Sequence, residues 1–443
     1  MLVFIENTLW LLVLIGVMIN IHELGHFWAA RYFDVRVEAF SFGFGRRLFG
    51  FRRGDTDYRF SLIPLGGYVK MAGEQATDEN ADDPHSVLAK PRWQRLIIAF
   101  AGPFMNMVLA VGVLTGLYMV KYQRFSDADM DPVIGHVAID SPAAKAGLQD
   151  GDHIVKLDGK NKPTWEDVIV KEAEGAYRAM HVTVERNGKL VDATVTPILS
   201  ERLGIGYAGW DERGEIQLAE VEQGFPAEKA GLKKGDIILS MNGVPIHSVG
   251  KLQELTKTSS GKPVEVEYQR NGQKLQTSVQ PIFYKGDGQA ARWFIGVGPQ
   301  PKFNVITTKL SFPEALRESL NQNGKNAMMI VEVLKGVLER RMSTKNLTGP
   351  IGIAQMSGEA AREGPSAFFM LMAMISLNLA IVNLLPIPIM DGGVILMLLV
   401  EMTMQRDLSL NVKEAMFKVG FVCIMLLVAF AIYNDISRIL PAG

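Results

Sequence analysis

His22-Glu23-Leu24-Gly25-His26 is the stretch that decides the fold, because it places three ionisable side chains inside an apolar segment. The residues before it, 9–21, read LWLLVLIGVMINI and carry no charge. On a helix, residues four apart leave the same face, so both imidazoles can reach one metal ion. This spacing suits Zn²⁺, and the intervening glutamate can activate a zinc-bound water. Ionisable groups at membrane depth are costly, so the motif predicts a functional metal site in a membrane helix.

Composition points to a membrane protein with several domains. Of the 443 residues, 48% are hydrophobic, which is high for a soluble protein of this length. The formal net charge of −1 gives no reason to expect a nucleic-acid partner. The single cysteine, Cys423, excludes an intrachain disulfide and a cysteine-based zinc site. The first apolar run has no basic start and no small-residue cleavage site, so we expect it to remain as a helix.

Four apolar runs predict a polytopic α-helical membrane protein with the metal site at membrane depth. Uncharged runs of this length can span a bilayer as helices. The predicted spans are 1–33, 96–120, 366–391 and 418–443. The second span contains Asn106, which can bond to another helix or take part in catalysis, and the sequence leaves both roles open.

Asp391 is the expected third metal ligand, since a catalytic zinc ion commonly has three protein ligands and one water. Five of the seven histidines lie in soluble stretches, so the third ligand is expected to be a carboxylate from Asp391, Glu401 or Asp435. Asp391 follows Pro386 and Pro388, which cannot continue a regular helix, and precedes two glycines that allow close backbone approach. Glu401 follows a regular helical run and is expected to cap an interface.

The distribution of basic residues predicts the orientation in the membrane. The loop 34–95 carries ten Lys and Arg residues, so the positive-inside rule makes it cytoplasmic. Residues 121–365 are then outside, and a second loop, 392–417, is cytoplasmic. The C-terminal parts of the first and third spans both approach the cytoplasmic side. His22, His26 and Asp391 can therefore meet at one depth.

The loop 34–95 also contains segments with period-2 apolar spacing around glycines, which predict short strands and hairpins. An exposed strand edge beside a membrane site can pair with an extended peptide. The alternative is a small sheet beside the membrane with no role in substrate binding.

Residues 121–300 are charged, rich in turns and internally repeated. Residues 141–154, SPAAKAGLQDGDHI, align with residues 225–238, FPAEKAGLKKGDII, 84 positions later. The shared pattern resembles the bacterial PDZ domain and implies two tandem α+β copies, 121–200 and 201–300. PDZ domains bind extended peptide ends by strand addition, whereas the alternative is a pair of folded spacers.

Residues 301–365 are expected to form amphipathic helices beside the membrane. Ser311 and Glu314 form the pattern of a capping box that starts a helix. Asn323-Gly324 is expected to interrupt this helix. Its apolar face suits either the membrane interface or packing against the repeats.

Taken together, these motifs resemble the site-2 protease family. The likeness rests on H-E-L-G-H in the first span, A-G-P-x-x-N in the second, the PDZ-like repeats, and N-x-x-P-x-P-x-x-D-G-G at the third. The resemblance implies intramembrane cleavage of single-span membrane proteins, with zinc bound by His22, His26 and Asp391 and with Glu23 as base. Val394 stands where many relatives have His, which is not a metal ligand of the family.

The same resemblance implies how substrates are held and where the protein resides. Residues 35–71 would form a re-entrant β-loop that holds the substrate as an added strand. Its candidate contact residues are Gly43, Gly45, Gly67 and Tyr68. The implied substrates are an anti-sigma factor, after an earlier protease has trimmed it, and remnant signal peptides. The implied location is the bacterial inner membrane, with periplasmic PDZ domains that restrict access and an active site toward the cytoplasm.

A helical substrate must unwind before cleavage, because its own hydrogen bonds shield the peptide bond. Asn383, Pro386 and Pro388 are candidates for receiving the unwound segment, although Asn383 can instead serve helix packing.

Two other functions fit the sequence less well. A membrane-anchored PDZ adaptor without catalysis would need the metal motif to be vestigial. A metal transporter would need polar residues along several spans, whereas this sequence has one localised cluster.

Overall fold

The computed structural model describes residues 2–73, 83–126, 131–200, 203–285, 291–344 and 348–439. These residues form two compact units. The first, mostly helical, comprises the described residues up to 122, 308–331 and those from 348 onward. The second, rich in strands, comprises the described residues of 123–307 and 332–346.

The helices of the described residues are, in chain order, α1 Leu2–Tyr32, α2 Arg92–Val120, α3 Pro142–Lys145, α4 Trp165–Glu174, α5 Pro226–Lys229, α6 Val249–Thr258, α7 Phe312–Leu338, α8 Pro350–Glu363, α9 Pro365–Asn383, α10 Asp391–Met404 and α11 Leu410–Ile439. The strands are β1 Val37–Arg53, β2 Thr56–Met71, β3 Tyr122–Phe125, β4 Ile134–Val137, β5 His153–Leu157, β6 Lys160–Asn161, β7 Met180–Arg186, β8 Lys189–Val195, β9 Ile198–Leu199, β10 Gly206–Tyr207, β11 Trp210–Glu212, β12 Glu215–Val221, β13 Ile237–Met241, β14 Val244–Pro245, β15 Val264–Arg270, β16 Gln273–Val279, β17 Ile282–Tyr284, β18 Arg292–Phe294, β19 Val297–Lys302 and β20 Val305–Thr308.

Four helices of the first unit, α1, α2, α9 and α11, are long and apolar enough to cross a membrane. They correspond to the four predicted spans. The prediction of a loop over 392–417 is wrong, because α10 occupies Asp391–Met404 and α11 begins at Leu410. Residues 394–400 are uniformly apolar and contain no Gly or Pro, which favours this additional helix.

The third span ends earlier than predicted. Helix α9 ends at Asn383, and residues 384–390 leave the helix before Asp391 begins α10. Pro386 and Pro388 explain the break, because neither can donate a backbone hydrogen bond to continue α9. Ile389 adopts a φ of 96°, which is strained for a β-branched residue. Asp391 is therefore carried by a break between two helices, not by the end of a continuous span.

The loop after α1 forms one sheet from two long strands, β1 and β2, where the sequence predicts several short hairpins. The strands are strongly irregular. Residues 39–42 pair with residues 67–70 on one side and with residues 57–60 on the other. Gly43 and Gly45 have φ values of 91° and 87°, which residues with a Cβ rarely adopt, so they let β1 turn after this doubly paired segment.

Helix α2 packs between α1 and α9 and holds the helical unit together. Leu14 and Met18 of α1 form a buried cluster with Phe368, Leu371 and Met372 of α9. The crossing of α1 and α2 is very close at Gly25, where a Cβ would overlap the carbonyl oxygen of Ala101. The glycine inside the histidine motif is therefore required by packing.

The second unit contains the same series of elements twice, and from α3 to β8 the offset is the constant one of the sequence repeat. The strand β5 begins at His153 and its counterpart β13 at Ile237, while α4 begins at Trp165 and α6 at Val249. The first copy forms a sheet of order β6-β5-β7-β8, and the second forms β16-β15-β13-β12-β19 with β14 beside β13. Each copy has its own hydrophobic core.

The boundary between the copies lies later than the predicted residue 200. Strand β11 pairs with β4, and β10 pairs with β9, so both belong to the first copy. Trp210 is buried in the core of the first copy. The second copy likewise extends past residue 300, since β19 runs to Lys302 and pairs with β12.

Helix α7 runs without interruption through Asn323-Gly324, so the predicted interruption is wrong. The side chain of Asn323 donates to the carbonyl oxygen of Ser319 one turn earlier, which lets this polar residue remain within the helix. At the start of the helix, the backbone N–H and the hydroxyl of Ser311 both donate to Glu314 Oε2. The predicted start at Ser311 is confirmed.

Candidate metal centre

His22, His26 and Asp391 converge in the first unit. The Nε2 atoms of the two histidines lie 3.1 Å apart. Asp391 Oδ2 lies 3.2 Å from His22 Nε2, and Asp391 Oδ1 lies 3.4 Å from His26 Nε2. Ligand atoms bound to one zinc ion at about 2.0–2.1 Å in a tetrahedral arrangement lie about 3.3 Å from one another. The three side chains therefore fit a single zinc ion, and both histidines are buried.

Two features of the chain bring these groups together. His22 and His26 lie one turn apart on the same face of α1. Asp391 is the first residue of α10, directly after the non-helical segment that follows α9. At Gly392 and Gly393 a Cβ would overlap carbonyl oxygens of the preceding segment, so the tight turn there requires glycine. The D-G-G sequence thus allows the carboxylate to approach the two imidazoles.

Backbone groups on neighbouring elements orient His26 and Glu23. His26 Nδ1 lies 2.7 Å from the carbonyl oxygen of Ile98 on α2, so Nδ1 carries the proton and Nε2 presents its lone pair to the centre. Glu23 Oε2 accepts a hydrogen bond of 3.1 Å from the backbone N–H of Val69 on β2. The other carboxylate oxygen of Glu23 remains available for proton transfer.

A cavity of about 940 Å³ opens at this cluster and contains room for an extended peptide segment. His22, Glu23, His26 and Asp391 all line it. Its walls combine apolar side chains from α1, α2, α10 and α11 with residues of β1 and β2. Apolar walls beside a group of polar side chains suit the binding of an apolar segment next to the reactive groups.

The predicted substrate contacts fall into three groups. Tyr68 and Asn383 line the cavity. Gly67 lies beside Glu23, because a Cβ at Gly67 would stand 3.6 Å from Glu23 Cγ and 2.7 Å from the carbonyl oxygen of Ser41. The remaining four predicted contacts, Gly43, Gly45, Pro386 and Pro388, do not line the cavity.

The other two candidate carboxylates lie away from the histidines. Glu401 is fully buried and pairs with Lys413 Nζ at 2.7 Å, while Leu408 donates its backbone N–H to Glu401 Oε1. In place of the expected interface cap, Glu401 thus forms an internal ion pair between α10 and α11. Asp435 accepts backbone N–H groups from the first turn of α8 and is a helix cap.

Two contributions to the site are not evident from the sequence. The far end of the cavity is lined by Arg95, Glu401 and Lys413, and their juxtaposition depends on α10, which the sequence pattern does not predict. Asn106, whose role the sequence leaves open, lies with its amide nitrogen 3.3 Å from His22 Nδ1. The spacing of A-G-P-x-x-N could have indicated this face of α2, because Gly102 and Asn106 are four residues apart.

Known proteins resemble this chain over nearly its whole length. A "Regulator of sigma-E protease RseP" from Salmonella typhimurium is 32% identical over 99% of this chain and 100% of its own. The protein of that name from Escherichia coli K12 is 31% identical over the same shares. A "Putative zinc metalloprotease" from Vibrio cholerae is 30% identical over 98% of this chain and 99% of its own, and its name implies zinc.

One solved structure, the PDZ domain of an SdrC-like protein from Listeria monocytogenes, covers 20% of this chain and 87% of its own, with 18% identity and a TM-score of 0.17. A TM-score this low gives no information about the fold of this chain. The model of peptidase family M50, in contrast, matches residues 10–427. Together with the full-length relatives, this match shows that the chain belongs to peptidase family M50 and is a metalloprotease of the site-2 type.

Proposed function

We propose that this protein is an intramembrane zinc protease that cleaves the transmembrane segment of single-span membrane proteins. The observation that carries the proposal is the convergence of His22, His26 and Asp391 at tetrahedral spacing on helices apolar enough to span a membrane. A soluble protease would have no need to bury such a cluster among membrane helices. His22, His26 and Asp391 are the metal ligands in this proposal.

A zinc ion held by these residues would supply a Lewis acid and a water of lowered pKa. Glu23 is the general base: it takes a proton from the attacking water and returns it to the leaving amine. The Val69 N–H holds one carboxylate oxygen, which fixes the direction in which the other can act. His26 donates its Nδ1–H to the carbonyl oxygen of Ile98, so Nε2 stays unprotonated.

The substrate segment binds in extended form in the cavity. Tyr68 and Val69 belong to the part of β2 that faces the cavity, which supports pairing of the substrate with this strand. Gly67 leaves space beside Glu23, and Asn383 can donate its side-chain amide to a substrate carbonyl. Gly43 and Gly45 act indirectly by shaping the sheet. Pro386 and Pro388 likewise act by keeping the segment before Asp391 free of helix.

The relatives support a proposal for the substrate class and for the location of the protein. Several of them are named "Regulator of sigma-E protease" or "Regulator of sigma E protease", which supports a substrate in the control of a sigma factor. The proposed substrates are an anti-sigma factor, after prior trimming, and remnant signal peptides. The proposed location is the bacterial inner membrane, with the second unit in the periplasm and the metal centre toward the cytoplasm. The ten basic residues of 34–95 support this orientation.

We further propose that the second unit is a tandem pair of PDZ domains. The constant offset between equivalent elements and the separate cores support two copies of one fold. In the second copy, a cavity of about 200 Å³ lies between α6 and β18 and is lined by Thr256 and Phe294. This groove suits the end of an extended peptide.

In the first copy, side chains occupy the place that corresponds to this groove. Glu172 stands at the position equivalent to Thr256, and it accepts hydrogen bonds from the Ala208 N–H and from Trp210 Nε1. Trp210 is equivalent to Val297, which also lines the cavity of the second copy, because Trp210 pairs with Val137 and Val297 pairs with Val221, 84 residues after Val137. The second copy is therefore the better candidate for peptide binding.

The proposal is tested by comparing zinc content and cleavage in three purified proteins: wild type, Glu23→Gln and Asp391→Asn. We expect about one zinc ion per wild-type chain. Glu23→Gln should keep the metal but lose cleavage of a single-span substrate, and Asp391→Asn should lose both. Zinc-free wild type, or equal cleavage by all three, would instead favour a membrane-anchored PDZ adaptor or an active site elsewhere.

A further inference from the structure

One face of α2 lies directly against the two metal-binding histidines. Ile98, Gly102 and Asn106 are spaced four residues apart along this helix, so they lie on one face in succession. The carbonyl oxygen of Ile98 meets His26 Nδ1 at 2.7 Å. Asn106 meets His22 Nδ1 at 3.3 Å. Gly102 lies between the two contacts.

The side chain of Asn106 is fully buried, and His22 Nδ1 is its one hydrogen-bond partner in the part of the chain that the structure describes. With Nδ2 toward His22, Oδ1 is buried and has no hydrogen-bond partner among the described residues. A buried amide oxygen without a partner costs about 1–3 kcal/mol. In the same orientation, His22 Nδ1 must accept, so the proton of a neutral imidazole would sit on Nε2.

A proton on His22 Nε2 is incompatible with metal binding there, since that atom lies 3.1 Å from His26 Nε2 and 3.2 Å from Asp391 Oδ2. Turning the amide over exchanges its oxygen and nitrogen with almost no change in shape. Oδ1 then accepts the proton of His22 Nδ1, and Nε2 presents its lone pair to the metal. This rotation gives the buried oxygen a partner and leaves His22 Nε2 free for the metal. Nδ2 then takes the position that has no partner within the described segments, so the rotation is favoured by the tautomer of His22 that the metal requires.

Gly102 provides the space that this arrangement needs. A Cβ at Gly102 would overlap His26 Nε2 and would lie 2.6 Å from His26 Cε1 and 2.8 Å from His22 Cε1. Gly112 and Gly116 lie further along the same helix, and a Cβ on either would meet no described atom within 4 Å. The requirement for glycine on α2 is therefore local to the histidines.

We infer that α2 positions the metal ligands. Asn106 orients His22, because its amide oxygen accepts a hydrogen bond from His22 Nδ1–H, and Gly102 leaves free the space that both imidazole rings occupy. This inference rests on the proposed zinc site. Asn106 and Gly102 are positioning residues and do not touch the metal or the substrate. Hydrogen-bond partners of this kind typically contribute about 10- to 100-fold to metal affinity.

The decisive comparison is between Asn106→Asp and Asn106→Leu in the full-length protein in detergent. A carboxylate can only accept, so Asn106→Asp should orient His22 as the amide oxygen does, and zinc affinity should stay near the wild-type value. Asn106→Leu fills similar space without an acceptor, and zinc affinity should fall about 10- to 100-fold. Affinity is measured by competition with a chelator, and Co²⁺ absorption spectra report the ligand geometry without reference to activity.

A second pair of variants tests the space at α2. Gly102→Ala should abolish or strongly weaken zinc binding, whereas Gly112→Ala should not change it. Thermal unfolding of the metal-free variants shows whether each protein still folds. Equal loss of zinc in Asn106→Asp and Asn106→Leu, or full retention in Asn106→Leu, would overturn the inference. Zinc-free wild type would instead refute the proposed metal site itself.

Discussion

The backbone N–H of Val69 donates to Glu23 Oε2 across 3.1 Å, and this bond connects a strand edge to a candidate catalytic side chain. The N–H points away from β1, since its acceptor belongs to α1. The same strand can therefore pair with an added substrate strand and hold the base. The proposed metal site on helices and the proposed peptide-binding edge of the sheet meet at this contact.

Val69→Pro should reduce cleavage about tenfold while leaving zinc content unchanged. Proline removes the N–H, and the loss of one hydrogen bond to a charged group is about 1.5 kcal/mol. The change is tolerated by the sheet because this N–H is not used in pairing with β1. The measurement is kcat with a single-span substrate, alongside metal analysis. Val69→Ala, which keeps the N–H, is the control, and equal activity in the two variants would refute a role for this bond.

Asp435→Ala should destabilise the helical unit by about 2–3 kcal/mol without loss of zinc, because several N–H donors would lose their acceptor. Asp435 is buried near the end of α11 and accepts the N–H groups of Gly349, Ile351 and Gly352 at the start of α8. Thermal unfolding in detergent measures the effect, with Glu414→Ala as an exposed control on the same helix. Loss of zinc in Asp435→Ala would return Asp435 to the set of possible ligands.

Glu172 predicts a pH-dependent stability for the first copy in the second unit. Burial raises the pKa of its carboxyl from 4.5 to about 7, against the hydrogen bonds from Ala208 and Trp210. The folded state then binds more protons than the unfolded state between these values, so stability falls as the pH rises from 4.5 to about 7. The slope approaches about 1.4 kcal/mol per pH unit.

Hydrogen exchange of residues 203–212, corrected for the intrinsic rate, measures this effect across the same pH range. Protection should decrease with rising pH in the wild type and in Glu166→Gln, an exposed control on α4. In Glu172→Gln the decrease should be much smaller, because the titrating group is gone. An unchanged slope in that variant would assign the pH dependence to other groups.

The same buried ion pair occurs once in each copy. Arg186 forms two hydrogen bonds with Asp152, at 2.7 and 2.6 Å, and Arg270 forms two with Asp236, both at 2.7 Å. Each aspartate is almost fully buried, so breaking either pair should cost about 2–4 kcal/mol.

Asp152→Asn should therefore lower hydrogen-exchange protection in the first copy and leave the second nearly unchanged. Asp236→Asn should have the reverse effect, which makes each variant the control for the other. Loss of protection in both copies from a single variant would show that they unfold together.

The convergence of His22, His26 and Asp391 could be predicted because their signals are local. Two histidines four apart need only a helix to share a face, and the proline break before Asp391 indicates a positioned side chain. The role of Asp435 could not be predicted, because its partners lie far away in the chain, at the start of α8. The role of Asn106 stayed open for the same reason: its neighbour His22 is distant in sequence, and only helix packing brings them together.

The parts of the fold that depend on local composition could be predicted from the sequence. The parts that depend on pairing between distant strands could be predicted less well. Uncharged runs indicated the four long helices, but α10 is too short to be recognised as a span. The glycine-rich stretches after α1 indicated strands without revealing that residues 39–42 pair on both sides. Trp210 explains why the first copy ends later than predicted. Its strand pairs with β4 and its side chain is buried in the core of the first copy, so these contacts, not a linker, determine the boundary.

The constant offset between the two copies means that they differ by substitution alone between Pro142 and Val195 and their counterparts Pro226 and Val279. Neither copy has gained or lost a loop residue in this stretch, so any division of labour between them must reside in individual side chains. Exchanging these two stretches within the gene would preserve every connection length inside them. Glu172→Thr is then the smallest edit that removes from the first copy a side chain occupying the place of the groove proposed to bind peptide in the second.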